Sequence, residues 1–556
     1  MSKLTLLFAA TFALAGCMST PPASNTTAEI PAQAPAKPDL SAARFMAQVK
    51  AIADDRLEGR APGTKGETLT LEYLESEFRR IGLQPGNGAS FRQPVPMIEL
   101  TPDRRAMALN VSGKSTRTLK YGVDFVAGSR LQQREIVLKD VEIVFAGYGV
   151  DAAEHQWNDF AGLDVKGKLL VVLINDPGFG SKDLSLFKGE TMTYYGRWTY
   201  KFEQAAKLGA AGVLIVHDTD GAAYGWEVVQ NGWLKPLYDV ETSGPPAPQT
   251  QMQGWLSAAA ASTLFADAGL DFAELKTAAD VRGFKARTLG LTASITINNT
   301  IRRSTSDNLI ALLPGREKPD EYVIYMAHWD HLGRNFAAGQ DQIMNGAIDN
   351  ATGVAGVLEI ATAFVNGPRP SRSVLFFLPT LEESGLLGSR YYAEHPIVAL
   401  NKTVAGLNID AMSLIGPTND VVVTGFGSSE MEDILRRYAQ AQARTVEAEP
   451  TPQDGFFFRS DHFSFAKVGV PVLYAEGGFD HREKGKEFGR QSAADYVTNR
   501  YHKPSDEFDP GWDSRGALED LTLLYQVGFE VANSQQWPAW YENSEFRMVR
   551  EASLKQ

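Results

Sequence analysis

Cysteine is almost missing from this chain: its 556 residues include one, Cys17. A single thiol makes no intramolecular disulfide and cannot build a cysteine-type zinc site, so the fold must rest on its core and on nitrogen and oxygen ligands. Basic charge is also short, with 54 Lys and Arg against 67 Asp and Glu and a formal net charge of -13. Such a surface repels phosphate backbones, and no basic stripe with interleaved aromatics offsets it, which excludes nucleic acid as a partner. The apolar run at residues 4–14 is too short to cross a bilayer as a mature helix. What remains is ordinary for folded domains, 44% hydrophobic and 22% charged, on a chain too long for one core.

The short apolar run follows Lys3 and ends in Leu14-Ala15-Gly16-Cys17. It suits the apolar region of a secretory signal, and its last four residues resemble a bacterial lipoprotein processing site in which Cys17 is lipidated. The expectation is an exported protein, held by lipid to the cell envelope at the outer membrane facing the periplasm. Residues 1–17 are then the signal peptide. Residues 18–40, rich in Pro, Ala, Thr and Ser, form a disordered tether.

Helical periodicity covers residues 40–83, with Gly82 as a stop. A separate block occupies 141–285. In it, 168–174 and 212–216 read as buried strands and 200–208 as a helix. His217 is expected to be structural. From Asn308 onward, apolar strands at 321–326, 373–378, 403–409 and 470–474 alternate with helices such as 353–364. That order predicts an α/β fold, a mostly parallel mixed sheet sandwiched by helices. Residues 41–140 and 286–535 form the main domain, 141–285 a small inserted β-rich α+β domain, and 536–556 a C-terminal tail.

Open parallel sheets carry their functional groups beyond the carboxyl ends of the strands. His328 and Asp330 follow the first of these strands, Glu382 and Glu383 the second, and Asp410 the third, while Asp349 precedes a helix and His502 lies in a late loop. Any one of them alone is a cap, a turn residue or a solvated charge. Together, two imidazoles and several carboxylates on one rim make a nitrogen and oxygen site for Zn²⁺. Asp349 is placed to bridge two ions, one held also by His328 and Asp410, the other by Glu383 and His502. Glu382, beside a ligand without being one, is the expected general base. Asp330 is expected to accept the second imidazole N–H of His328 and fix its orientation.

These residues resemble the dizinc aminopeptidases and related exopeptidases of the bacterial and fungal type, many of which carry an inserted protease-associated domain. The resemblance extends over residues 40–509. It includes the Asp55-Arg56-Leu57-Glu58-Gly59-Arg60-Ala61-Pro62-Gly63-Thr64 stretch, and Ala205-Ala206-Lys207-Leu208-Gly209-Ala210-Ala211-Gly212 in the inserted block. It implies a zinc exopeptidase fold, two Zn²⁺ per chain, a peptide substrate, and the ligand and base roles already assigned. Ser460-Asp461-His462 is similar to a segment lining the substrate side, with His462 not a ligand. His331 departs from the family, several members having Ser there.

Some alternatives stay open. Tyr195 and Arg197, in an aromatic cluster at 194–200, either pack the inserted domain or face the cleft and limit peptide length. Phe457, in Phe456-Phe457-Phe458, either lines the pocket for the first side chain or is core. Carboxypeptidase action on the same fold needs a cationic clamp for a carboxylate, and the sequence does not locate one. Glutaminyl cyclisation is a further relative. A non-enzymatic binding protein on this scaffold need not keep every ligand, whereas here all are present.

Overall fold

The computed structural model describes residues 37–234, 236–241, 248–334 and 342–555. The expected signal peptide, Cys17 and most of the tether lie outside the described residues.

The central strand of the main sheet, Lys318–Met326, has parallel neighbours on both sides, Arg372–Leu378 and Thr403–Asn408. Val323 and Tyr325 enter one apolar cluster, Ile324 and Met326 another on the opposite face. Burial on both faces explains why its second half, residues 322–326, is a continuous apolar run rather than an alternating one. Beyond Thr403–Asn408 come parallel Val472–Gly477, antiparallel Asp420–Val423, and Thr445–Ala448. Beyond Arg372–Leu378 the sheet turns antiparallel through Arg287–Leu313, Arg92–Pro102 and Leu237–Val240.

Helices Ala42–Ile52, Lys65–Ile81, Gly353–Asn366 and Arg515–Asn533 cover the Tyr325 face. Lys65–Ile81 stops as expected at Gly82, whose φ of 96° suits a residue without Cβ. Gly353–Asn366 is mostly apolar because it is buried nearly all round, its one charged side chain, Glu359, being paired with Arg44 at 2.6 Å. Leu387–Glu394 and His462–Lys467 lie on the other face.

The inserted module has its own sheet, in the order Thr116–Lys120, Ala108–Ser112, Arg287–Leu313, Glu135–Phe145, Leu169–Leu173, Gly212–Val216, Met252–Leu256 and Phe125–Gly128. Its limits differ from the expected 141–285. The sheet begins at Ala108 and extends to Asn298, which pairs with Glu135. The reason is the 27-residue strand Arg287–Leu313, whose first half belongs to the inserted sheet and whose second half belongs to the main one. His217 is structural as expected, its Nε2 2.9 Å from the Tyr224 carbonyl oxygen. The expected C-terminal tail is packed onto the main domain over its described residues, 536–555. Trp540 and Phe546 are buried, the Trp540 indole donates to the Gly469 oxygen at 2.9 Å, and Arg550 donates to the Thr403 oxygen at 2.7 Å.

The long helix Arg515–Asn533 meets the central strand at Gly528, where a Cβ would lie 1.8 Å from the Tyr325 hydroxyl. That hydroxyl is fixed by donating to the Leu524 oxygen at 2.9 Å. Gly528→Ala is therefore expected to destabilise the protein by about 1–3 kcal/mol, read as a lowered urea midpoint at unchanged slope.

Candidate metal centre

The carboxyl ends of three adjacent parallel strands deliver His328, the Glu382–Glu383 pair and Asp410 to one rim, and the turn before Gly353–Asn366 brings Asp349 over it. Asp349 is joined to Asn350 by a cis peptide bond. Its backbone N–H and that of Ile348 donate to the carboxylate of buried Asp506 at 3.1–3.2 Å. The Asn350 side chain ties this turn to the Asp410 loop, donating to the Ile409 oxygen at 3.1 Å and accepting from Ala411 N–H at 3.1 Å.

Asp349 Oδ1 lies 3.2 Å from His328 Nε2, and that nitrogen is also 3.2 Å from Asp410 Oδ1. The other oxygen of Asp349, Oδ2, lies 3.1 Å from His502 Nε2, which is 3.1 Å from Glu383 Oε2. These are two donor groups sharing one carboxylate. Donors each about 2.0–2.1 Å from a common tetrahedral ion would be separated by roughly 3.3–3.4 Å, so the spacing fits. A second observation supports the fit. Both ring nitrogens of His331 and Glu383 Oε1 are buried with no hydrogen-bond partner, although His331 Nδ1 and that oxygen are 2.7 Å apart. Orphan donors that converge without bonding to each other are suited to a cation between them. His331, Asp349 and Glu383 form one group able to hold a metal ion, and His328, Asp349 and Asp410 another. His331 therefore belongs at the rim beside His502, closer to the ligands than the sequence indicated.

Charge at the rim is strongly coupled. Burial works against charging His328, but Asp410 and Glu382 outweigh it and hold the imidazole well above its ordinary value. Burial likewise opposes His502, yet Glu383 and Asp349 push it up to about 10. Burial would raise Asp349, and its hydrogen bonds to His328 and His502 instead hold it well below the carboxylate range. Glu382 goes the other way: burial, then the carboxylates of Glu383 and Asp410, keep it well above its ordinary value. Protons on the two histidines thus occupy the places that metal cations would take.

Asp330 departs from its expected contact. His328 Nδ1 faces the Asp330 main-chain oxygen at 3.1 Å and the carboxylate only at 3.8 Å. The carboxylate Oδ1 instead accepts the Glu382 backbone N–H at 3.2 Å, because Asp330 turns toward the neighbouring strand end. It acts on the expected base rather than on the imidazole. Burial pushes Asp330 up to about 8.

A cleft of about 1120 Å³ opens on this rim, lined there by Asp330, His331, Glu382 and Glu383 and on the inserted module by Arg197, Trp198 and Phe202. Of the residues expected to meet substrate, Arg197 lines it and three do not. Tyr195 turns into the inserted module, bonding Glu154 and packing on Phe187 and Tyr200. Phe457 is core, packed on His462 and Phe546, and its neighbour Phe458 reaches the cleft instead. Asp461 is wholly buried behind the rim. Two residues were missed. Tyr501 stacks on His502 at 3.8 Å and lines the cleft. Arg60, 1% exposed, donates to the main-chain oxygens of Trp329, Ile52, Asn345 and Gly346 at 2.5–3.0 Å, joining the two loops that carry His328 and Asp349.

Arg60→Met leaves those four carbonyls without their donor. It is expected to cost at least about 3 kcal/mol, and Arg60→Lys should recover only part, having fewer donors and no planar fork. Thermal unfolding of the three proteins checks this.

Residues 308–525 match the model of Peptidase family M28. Aminopeptidase NAALADL1 of Mus musculus is 33% identical over 127 residues, covering 22% of this chain and 16% of that protein. Probable glutamate carboxypeptidase AMP1 of Arabidopsis thaliana is 25% identical over 382 residues, covering 63% of this chain and 48% of that protein. The chain thus spans less than half the length of either relative. A solved aminopeptidase from Aneurinibacillus sp. strain AM-1 aligns over 89% of this chain and 94% of its own, with 18% identity and a TM-score of 0.48. The donors His328, Asp349, Glu383 and Asp410 all lie inside the segment that matches Peptidase family M28.

Proposed function

We propose that the protein is a two-zinc exopeptidase, an aminopeptidase that hydrolyses the N-terminal peptide bond of oligopeptides. The observation that carries this reading is Asp349, which faces His328 with one oxygen and His502 with the other. A carboxylate shared in this way is the hallmark of a paired-ion site, and each side keeps a second carboxylate of its own, Asp410 or Glu383. Zinc ions held by these residues would supply Lewis acidity toward a peptide carbonyl and toward water.

The chain's own groups do the rest. Glu382 lines the cleft, and its Oε2 is 4.0 Å from His328 Nε2. As the general base it takes a proton from the attacking water and delivers it to the departing amine nitrogen. Asp330 steadies it through the backbone N–H. Ser460 donates to Asp410 Oδ2 at 2.7 Å and holds that ligand in place. The carboxylates of the rim hold the free amino group of the substrate, and the module that overhangs the cleft limits water and length. That inserted module is read as a protease-associated domain, and the Leu14-Ala15-Gly16-Cys17 segment supports an exported protein with lipid on Cys17.

Peptides blocked at one end test the polarity of cleavage. N-acetylation should abolish hydrolysis and C-terminal amidation should not, whereas the reverse result would identify a carboxypeptidase. Metal analysis should find two zinc ions per chain, one in His502→Ala and none in Asp349→Ala. Glu382→Gln should keep both ions while kcat falls about 10²- to 10⁴-fold. Full turnover in that variant would remove Glu382 from the mechanism.

A further inference from the structure

Six Lys or Arg side chains line the cleft, and three of them are already neutralised. Arg130 and Arg390 both pair with Asp239, and Lys467 pairs with Glu203. Arg197 is different. Its side chain is over nine-tenths buried at 7% exposure, yet Nε has no hydrogen-bond partner, and among the described residues its guanidinium meets no carboxylate. The charged group acting most strongly on it is another cation, Arg459, which lines the same cleft. Although the Glu449 carboxylate is near enough to feel its charge, Arg459 forms no ion pair within 4 Å among the described residues. It donates to the Asp454 oxygen at 2.6 Å and sits over the Phe456 ring at 4.9 Å.

Burial, then Arg459, pushes Arg197 down to about 9, so it still carries its charge at neutral pH. Burying a guanidinium without a counter-ion is costly, and placing a second one beside it adds to the cost. Nothing in the packing relieves this. The helix Trp198–Lys207 starts directly after Arg197, and Lys201 in its first turn donates to the Tyr195 oxygen at 2.6 Å and the Asn175 oxygen at 2.8 Å. The arginine is therefore presented to the cleft by a pinned turn. A largely buried guanidinium with an unpartnered Nε and no facing carboxylate, set in the wall of the cleft, is preorganised for an anion that arrives from outside.

We propose that Arg197 and Arg459 form an anion subsite that takes a carboxylate of the peptide substrate while the metal rim engages its amino end. This rests on the exopeptidase reading and narrows it to short peptides that carry a carboxylate within reach of the cleft. Two groups supply one, a free C-terminus or the side chain of Asp or Glu. Arginine rather than lysine suits either, since the fork matches both carboxylate oxygens.

The test uses zinc-loaded full-length protein and three tripeptide forms: trialanine, its C-terminal amide, and Ala-Ala-Glu amide. Trialanine should show a KM about 10- to 100-fold below that of its amide, the range of one charged hydrogen-bonded pair. Ala-Ala-Glu amide separates the sources, recovering the low KM if a side-chain carboxylate also serves. In Arg197→Met and Arg459→Gln the acid-to-amide ratio should fall toward one. Because Arg197 has no partner to lose, Arg197→Met should melt no lower than the parent protein without substrate. A ratio near one in the parent protein, or a variant that melts lower and weakens all three peptides equally, would overturn the subsite. Calorimetric binding of the same peptides to zinc-loaded Glu382→Gln keeps the two proposals apart. An acid-to-amide difference there without hydrolysis in the parent protein sinks the peptidase reading alone, and hydrolysis without the difference sinks the subsite alone.

Discussion

Everything at the rim depends on the crowding of like charge. Asp349, Glu382, Glu383 and Asp410 gather where three strands end, with Asp330, Asp461 and Asp506 buried just behind. Such a cluster is unstable unless positive charge is interleaved with it. The protein provides this at two depths: His328 and His502 among the carboxylates, and Arg60 beneath both loops. Burial pushes Arg60 down to about 10, and the acids around it, Asp349 and Asp506 foremost, resist that fall, so it stays charged. The same crowding that would break a core makes the site avid for divalent cations. Stability and metal binding are two consequences of one electrostatic arrangement.

Much of this was legible from residue order. Strands buried on both faces are apolar runs, and the acids and histidines that follow them had no role in packing, so His328, Glu383 and Asp410 could be read at the strand ends as candidate donors, whereas Asp349 and His502 lie in a turn and a loop. His331 could not be placed in the same way. It follows Asp330 directly, and only the path of the turn, pinned by Arg60, decides that its ring points at Glu383. Asp330 shows the opposite failure, since a two-residue spacing from His328 suggests an imidazole contact, whereas its carboxylate reaches across to the next strand.

The inserted module was recognised but cut short. Leu289, Leu291, Ala293, Ile295 and Ile297 alternate with exposed or half-buried residues, a clear period of two. The signal was present, and it marked a strand. What the alternation alone could not say is that the strand continues into the main sheet, because the switch from one sheet to the other is made by pairing partners far away in the chain. The substrate-side residues were harder still. Among Tyr195, Arg197, Phe457, Phe458 and Asp461, residue type does not sort core from cleft, since one Phe and one charged group fall on each side, and only tertiary contacts separate them.

That shared strand has a mechanical meaning. Leu237–Val240 adds a second seam by pairing with Arg92–Pro102, and Arg390 clamps Asp239 from the opposite wall. The walls of the cleft are thus parts of one continuous hydrogen-bonded ribbon instead of two bodies swinging on a linker. The width of the cleft is therefore tied to the register of that shared strand, and a slip in its pairing would shift one wall against the other.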